Sequence, residues 1–209
     1  PSPVIAFGRM GLAAIALTPL VLRYYSQELQ KLTKRDLIMA MFGGSLLVTH
    51  FMLMIFALEN ATTLVVLVII NTSPLWVALL ERIFLKETLN RFVWIGMFIT
   101  IIGSFYIALN ANSGTSISDG TPMLGAILSF FAAIAGASYM VIGRTVRRKV
   151  SLFLYVWIVF GCGGILGLIF TIVTGTPIMG HSSMGYFWLI MLTLLPQLIG
   201  HSAFNFALR

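Results

Sequence analysis

Apolar residues in this chain gather into seven long runs, bounded by charges or by clusters of Gly, Pro and Ser. The runs are 3–22, 37–58, 62–80, 92–109, 123–142, 152–173 and 186–208. At about 1.5 Å of rise per residue, each is long enough as a helix to cross a hydrocarbon core of about 30 Å. The pattern predicts an all-α polytopic membrane protein with about seven transmembrane helices. The third run carries Asn71-Thr72-Ser73-Pro74 at mid-depth, where a plain anchor would carry Leu or Val. Proline cannot donate to the helical ladder and frees a carbonyl near Ile70, so a kink presenting polar groups is predicted there.

The connections alternate in charge. Segment 23–36 carries Arg23, Lys31, Lys34 and Arg35, segment 81–91 carries Arg82, Lys86 and Arg91, and segment 143–150 carries Arg144, Arg147, Arg148 and Lys149. Segments 59–61, 110–122 and 174–185 carry no Lys or Arg. The positive-inside rule then puts the basic loops in the cytoplasm and the chain in a cell (inner) membrane. Composition agrees: 59% of residues are hydrophobic, 9% are charged and the mean hydropathy is +1.00, far from soluble domains. The net charge of +7 does not indicate nucleic acid, because the bases sit in short clusters between apolar runs. The single cysteine, Cys162, reads as a buried small residue, and no disulfide, metal or cofactor site is expected. Opening on Pro1-Ser2-Pro3 and stopping at Arg209 directly after an apolar run, the sequence is expected to be a fragment.

Run 37–58 ends Phe56-Ala57-Leu58 and run 186–208 ends Phe206-Ala207-Leu208; at the same offset Gly11 and Ile15 match Gly161 and Ile165. Five spans separate equivalent positions, and an odd number forces the second copy to insert upside down, the inverted-repeat plan of many secondary transporters. The Pro74 helix followed by Phe84-Leu85-Lys86-Glu87, then Trp94-x-Gly96 and Gly103, resembles the EamA family of the drug/metabolite transporter superfamily. So do the small-residue helix 125–139 and the stretch PQLIGHSAFNFALR, 196–209, and the likeness covers essentially the whole chain. The resemblance implies ten helices in two inverted five-helix halves around a central substrate cavity, and usually export of amino acids or other small metabolites. On that plan residues 1–112 are a first repeat lacking its first helix, and 121–209 a second repeat lacking its last two.

Candidate site residues are polar groups at membrane depth. Arg9 precedes Arg23 by 14 residues, about 21 Å of helix, so it either snorkels to the outer surface or holds an anionic substrate group or an internal carboxylate. Gln197, His201 and Asn205, four apart, should form one helical stripe below Pro196, lining a cavity or bonding to neighbouring helices. His201 could also couple protons. His50 is a second candidate, with a bond to a neighbouring backbone as its structural alternative. Asn71 and Pro74 share a face, while Thr72 and Ser73 can back-bond to the preceding turn. Tyr139, beside Ser138, and Trp157 offer hydroxyl and aromatic surface or simple packing. Glu59, Glu81 and Glu87 lie at helix ends, where solvated ion pairs explain them. Gly125, Ser129, Ala133 and Ala137, and the cluster Gly161 to Gly167, read as surfaces for close helix approach.

The function expected is a secondary transporter, an exporter of a small metabolite such as an amino acid or amphipathic compound, acting by alternating access in the lipid bilayer. Proton coupling and homodimer formation stay open. His201-Ser-Ala-Phe-Asn205 also resembles one motif of intramembrane CAAX-type proteases, but their adjacent glutamate pair is absent from this sequence. A channel or a non-transporting scaffold is the third reading. No phosphate-binding GxxxxGK[ST] loop is present, so this chain does not itself couple ATP.

Overall fold

A computed structural model describes residues 2–86, 90–110 and 121–207. Glu87, residues 111–120, Leu208 and Arg209, which figure in the sequence reading, lie outside the described residues. Regular structure among the described residues is helical throughout: α1 (Ser2–Tyr24), α2 (Ser26–Lys31), α3 (Lys34–Asn60), α4 (Thr63–Ile70), α5 (Ser73–Leu80), α6 (Arg91–Asn110), α7 (Pro122–Arg147), α8 (Leu152–Val173), α9 (Ser183–Leu192) and α10 (Ser202–Ala207). Two π-helical segments, Glu81–Leu85 and Thr193–His201, follow α5 and α9. Among the described residues six stretches are long and apolar enough to cross a membrane: Pro3–Tyr24, Lys34–Asn60, Thr63–Leu85, Pro122–Arg147, Leu152–Val173 and Ser183–Ala207. The fourth run, 92–109, coincides with α6, a 20-residue helix in which Arg91–Thr100 is a shorter apolar stretch. Large apolar side chains such as Phe98, Ile165 and Phe206 are exposed, as lipid-facing positions of a polytopic membrane protein are.

The chain forms two compact units, and each takes helices from both expected repeats. One comprises Pro1–Val48 and Ile142–Arg209, the other Thr49–Val141. In the first, α1 runs antiparallel against α8 and the contact is made by glycine. A Cβ on Gly164 would stand 2.9 Å from the backbone N and Cα of Gly11, and one on Gly44 would stand 2.6 Å from the Val159 carbonyl oxygen. Gly163 and Gly167 receive Met10 and Phe7 in the same way. Without a hydrophobic drive between helices in lipid, such close approach supplies the dispersion contact that holds them.

The ends of this unit are fixed by polar contacts. The Glu28 carboxylate accepts the Ser151 N–H at 2.6 Å, satisfying the first donor of α8. Thr33 and Asp36 bond reciprocally at the start of α3, and the Lys149 ammonium lies 3.9 Å from Asp36. These contacts bring two basic segments, 23–36 and 143–150, to one end of the unit. At its other end α8 closes on Gly175, left-handed at φ +64°, with Gly175 N–H bonded to Ile172 O and Thr176 N–H to Thr171 O. There Val4 and Ile5 of α1 meet His181, Tyr186 and Leu189 around a cavity of about 320 Å³.

In the second unit the face Gly125, Ser129, Ala133 and Ala137 of α7 is entirely buried. A Cβ on Gly125 would stand 2.9 Å from the Ala61 backbone nitrogen, so α7 presses directly on the end of α3. Ala57, Ala61 and Val66 form the local core with Ile70 and Leu128 around them. Trp76 meets Phe130 edge-on with ring centroids 5.1 Å apart.

Replacing Gly164 or Gly44 by alanine should force backbones apart and lower stability by about 1–3 kcal/mol. Gly11→Ala, which meets nothing within 4 Å, should be neutral or stabilising. Thermal unfolding of the detergent-solubilised protein followed by circular dichroism checks the contrast.

Candidate functional site

The third apolar run is interrupted where its proline predicts a disturbance. α4 stops at Ile70 and α5 restarts at Ser73, with Asn71 and Thr72 between two eight-residue helices. Pro74 falls in the first turn of α5, where its missing N–H removes no bond. The freed carbonyls are taken up locally. Ile69 O accepts from Thr72 N at 3.0 Å and from Thr72 Oγ1 at 2.6 Å, while Ile70 O accepts from Ser73 Oγ at 2.6 Å. Trp76 Nε1 donates to Thr72 Oγ1 at 3.2 Å. Ser73 is buried, whereas Asn71 and Pro74 are exposed side by side at the break.

His50, in the same unit, is buried with Nδ1 2.7 Å from the Ala132 carbonyl oxygen. A carbonyl only accepts, so Nδ1 carries the proton in this contact. Gly136 makes the approach feasible, since a Cβ there would lie 2.9 Å from that nitrogen. Tyr139, one turn beyond Gly136 on the same helix face, is buried. The histidine thus takes the backbone bond that was its structural alternative.

In the other unit Arg9 does not snorkel. Its side chain is 5% exposed and Nε donates at 2.9 Å to Gln197 Oε1, across 188 residues of sequence. An Nε–H can only donate, so the amide of Gln197 is oriented: oxygen toward Arg9, and Nε2 with no hydrogen-bond partner among the described residues. Gln197 is completely buried. It sits in the π-helical segment Thr193–His201, which contains Pro196. A spacing of four lies close to one full turn in either α or π geometry, so the three residues stay on one side of the segment. Gln197 and Asn205 are buried, and His201 between them is half-buried.

Asn205 Nδ2 donates to His201 O at 2.6 Å, and its own carbonyl accepts from Arg147 Nε at 3.2 Å. Arg147, 3% exposed, also donates to Val150 O at 2.7 Å. The sequence placed Arg147 among loop charges, with no signal to set it apart from Arg144, Arg148 or Lys149. Trp157 is spent on Thr18, with Nε1 donating to Oγ1 at 3.0 Å. Five candidates, Arg9, Trp157, Gln197, His201 and Asn205, thus fall in one unit, and His50, Asn71, Pro74 and Tyr139 in the other.

A model of the EamA-like transporter family matches residues 1–109, just over half of the chain. The chain belongs to that family. It is similar to an uncharacterized transporter, YdfC, of Bacillus subtilis, at 27% identity over 135 residues, 65% of this chain and 42% of the relative. It is also similar to the riboflavin transporter ImpX of Fusobacterium nucleatum, at 24% over 129 residues, 60% of this chain and 43% of the relative. The aligned part therefore spans under half the length of these curated relatives.

The break is held by two hydroxyls. Ser73→Ala should cost about 1 kcal/mol by leaving Ile70 O without its donor, and adding Thr72→Val should cost more than either alone. Denaturant unfolding of the single and double variants measures this.

Proposed function

We propose that this chain is part of a secondary transporter that moves a small polar or amphipathic metabolite by alternating access, in the direction of export. The observation that carries the reading is the buried Arg9–Gln197 bond, set in two helices long enough to cross a membrane. A guanidinium at that depth costs a few kcal/mol on insertion scales, and membrane proteins keep such groups chiefly where they bind or move something. The Gln197 amide offers a donor to a substrate oxygen beside it. The exposed Asn71 at a helix break supplies a second polar surface of the kind transporters use, where interrupted helices meet ligand. Resemblance to a protein named as a riboflavin transporter favours an amphipathic compound over a bare ion.

The remaining parts of the reading have their own support. Ten helices as two inverted five-helix halves follow from span parity, with residues 1–112 and 121–209 contributing to the two repeats. The two basic segments tied together at one end of a unit favour a common cytoplasmic side in an inner membrane. Proton coupling, if present, would use His201, and the functional assembly would be a monomer or homodimer.

Full-length protein in proteoliposomes should show saturable counterflow of at least one member of a panel of amino acids and riboflavin-like compounds. Asn71→Ala and His201→Ala should each raise the half-saturating concentration about tenfold, the value of one lost hydrogen bond of about 1–1.5 kcal/mol, without lowering the melting temperature. Unsaturable flux, or none across the panel, would favour a channel or scaffold. Unchanged kinetics in both variants would remove these residues from the site.

A further inference from the structure

Between α1, α8 and the start of α3 runs an open groove of about 590 Å³. Its floor is Gly8, Gly11, Gly161 and Gly164, and its walls are Ile15, Met41, Ile165 and Leu168. Two of the floor glycines have no packing reason to be glycine. A Cβ on Gly11 would meet nothing within 4 Å, and one on Gly161 only the Ala14 methyl at 3.9 Å. Glycine inside a helix costs about 1 kcal/mol relative to alanine, so here it keeps space open rather than letting protein in. Polar atoms in the walls are satisfied internally: Trp157 Nε1 donates to Thr18 Oγ1, Thr18 to Ala14 O, and Cys162 Sγ to Met41 O. What remains for an occupant is hydrocarbon.

The dimensions select the kind of hydrocarbon. From Phe7 to Thr18 the groove follows twelve residues of α1, roughly 17 Å, about the depth of one leaflet. A groove of that length with an apolar lining accommodates an extended alkyl chain. One end is basic. Leu29 of α2 and Leu37 of α3 close the groove there, and Lys34 precedes Leu37 and Met41 by three and seven residues, on the same face of α3. Lys31, Lys34 and Arg35 are exposed, while the nearby acids are engaged: Glu28 by the Ser151 N–H, Asp36 by Thr33 and Lys149. We infer that this groove is a binding site for an anionic diacyl phospholipid of the bilayer, one acyl chain lying on the glycine floor and the headgroup held by Lys34 and its neighbours. Basic pockets at the ends of membrane helices recognise such headgroups.

The test uses full-length protein in vesicles, with every tryptophan except Trp157 replaced by phenylalanine, and brominated lipids as quenchers. Brominated phosphatidylglycerol should quench Trp157 with at least fivefold preference over brominated phosphatidylcholine. Lys34→Ala should reduce that preference by about fivefold. Gly161→Leu, which fills the floor, should abolish the preference; because Lys34 is exposed, its variant remains informative even if the leucine disturbs folding. Equal quenching by both lipids, or a preference unchanged by Lys34→Ala, would overturn the assignment. Absence of quenching by either lipid would also overturn it, by showing that a further helix or a second copy covers the groove.

Discussion

A backbone inside hydrocarbon has no water to bond to, and that constraint shapes departures from regular helix among the described residues. At the gap between α4 and α5 the carbonyls of Ile69 and Ile70 are answered by the hydroxyls of Thr72 and Ser73. The start of α8 takes its carboxylate cap from Glu28, and the end of α8 folds its last carbonyls into a glycine turn. Because each irregularity is paid for by a nearby donor or acceptor, polar groups such as Asn71 can stand at a break within an apolar run without unravelling it.

Close helix contact works alongside this. Gly44, Gly164 and Gly125 remove side chains where backbones meet, so van der Waals packing replaces the hydrophobic drive that lipid does not provide. Arg9 and Gln197 are among the few buried polar side chains of their unit, which also include Arg147 and Asn205. Removing one partner of a buried charge-assisted bond is costly, whereas replacing both by apolar groups of similar size is often neutral or stabilising. A pair kept under those terms contributes little to fold stability.

The helical architecture was legible from run length alone, because a helix must be about twenty apolar residues long to cross a bilayer. The small-residue face of α7 was equally legible, since a four-residue repeat maps directly onto one helix face. Local hydrogen-bond choices were not. Pro74 signalled a disturbance, but whether a helix bends or restarts depends on which hydroxyls answer the freed carbonyls. Pro196 likewise gave no sign of nine residues of π-helix. The Arg9–Gln197 and Arg147–Asn205 bonds join residues 188 and 58 positions apart, and no local pattern encodes such partners.

The measurement that bears most directly on the central claim compares stability with transport in the full-length Arg9→Met/Gln197→Leu double variant. If the pair serves substrate rather than the fold, the melting temperature should equal or exceed that of the parent while saturable transport falls more than tenfold. Transport at the parent rate, or a protein that no longer folds, would contradict the account.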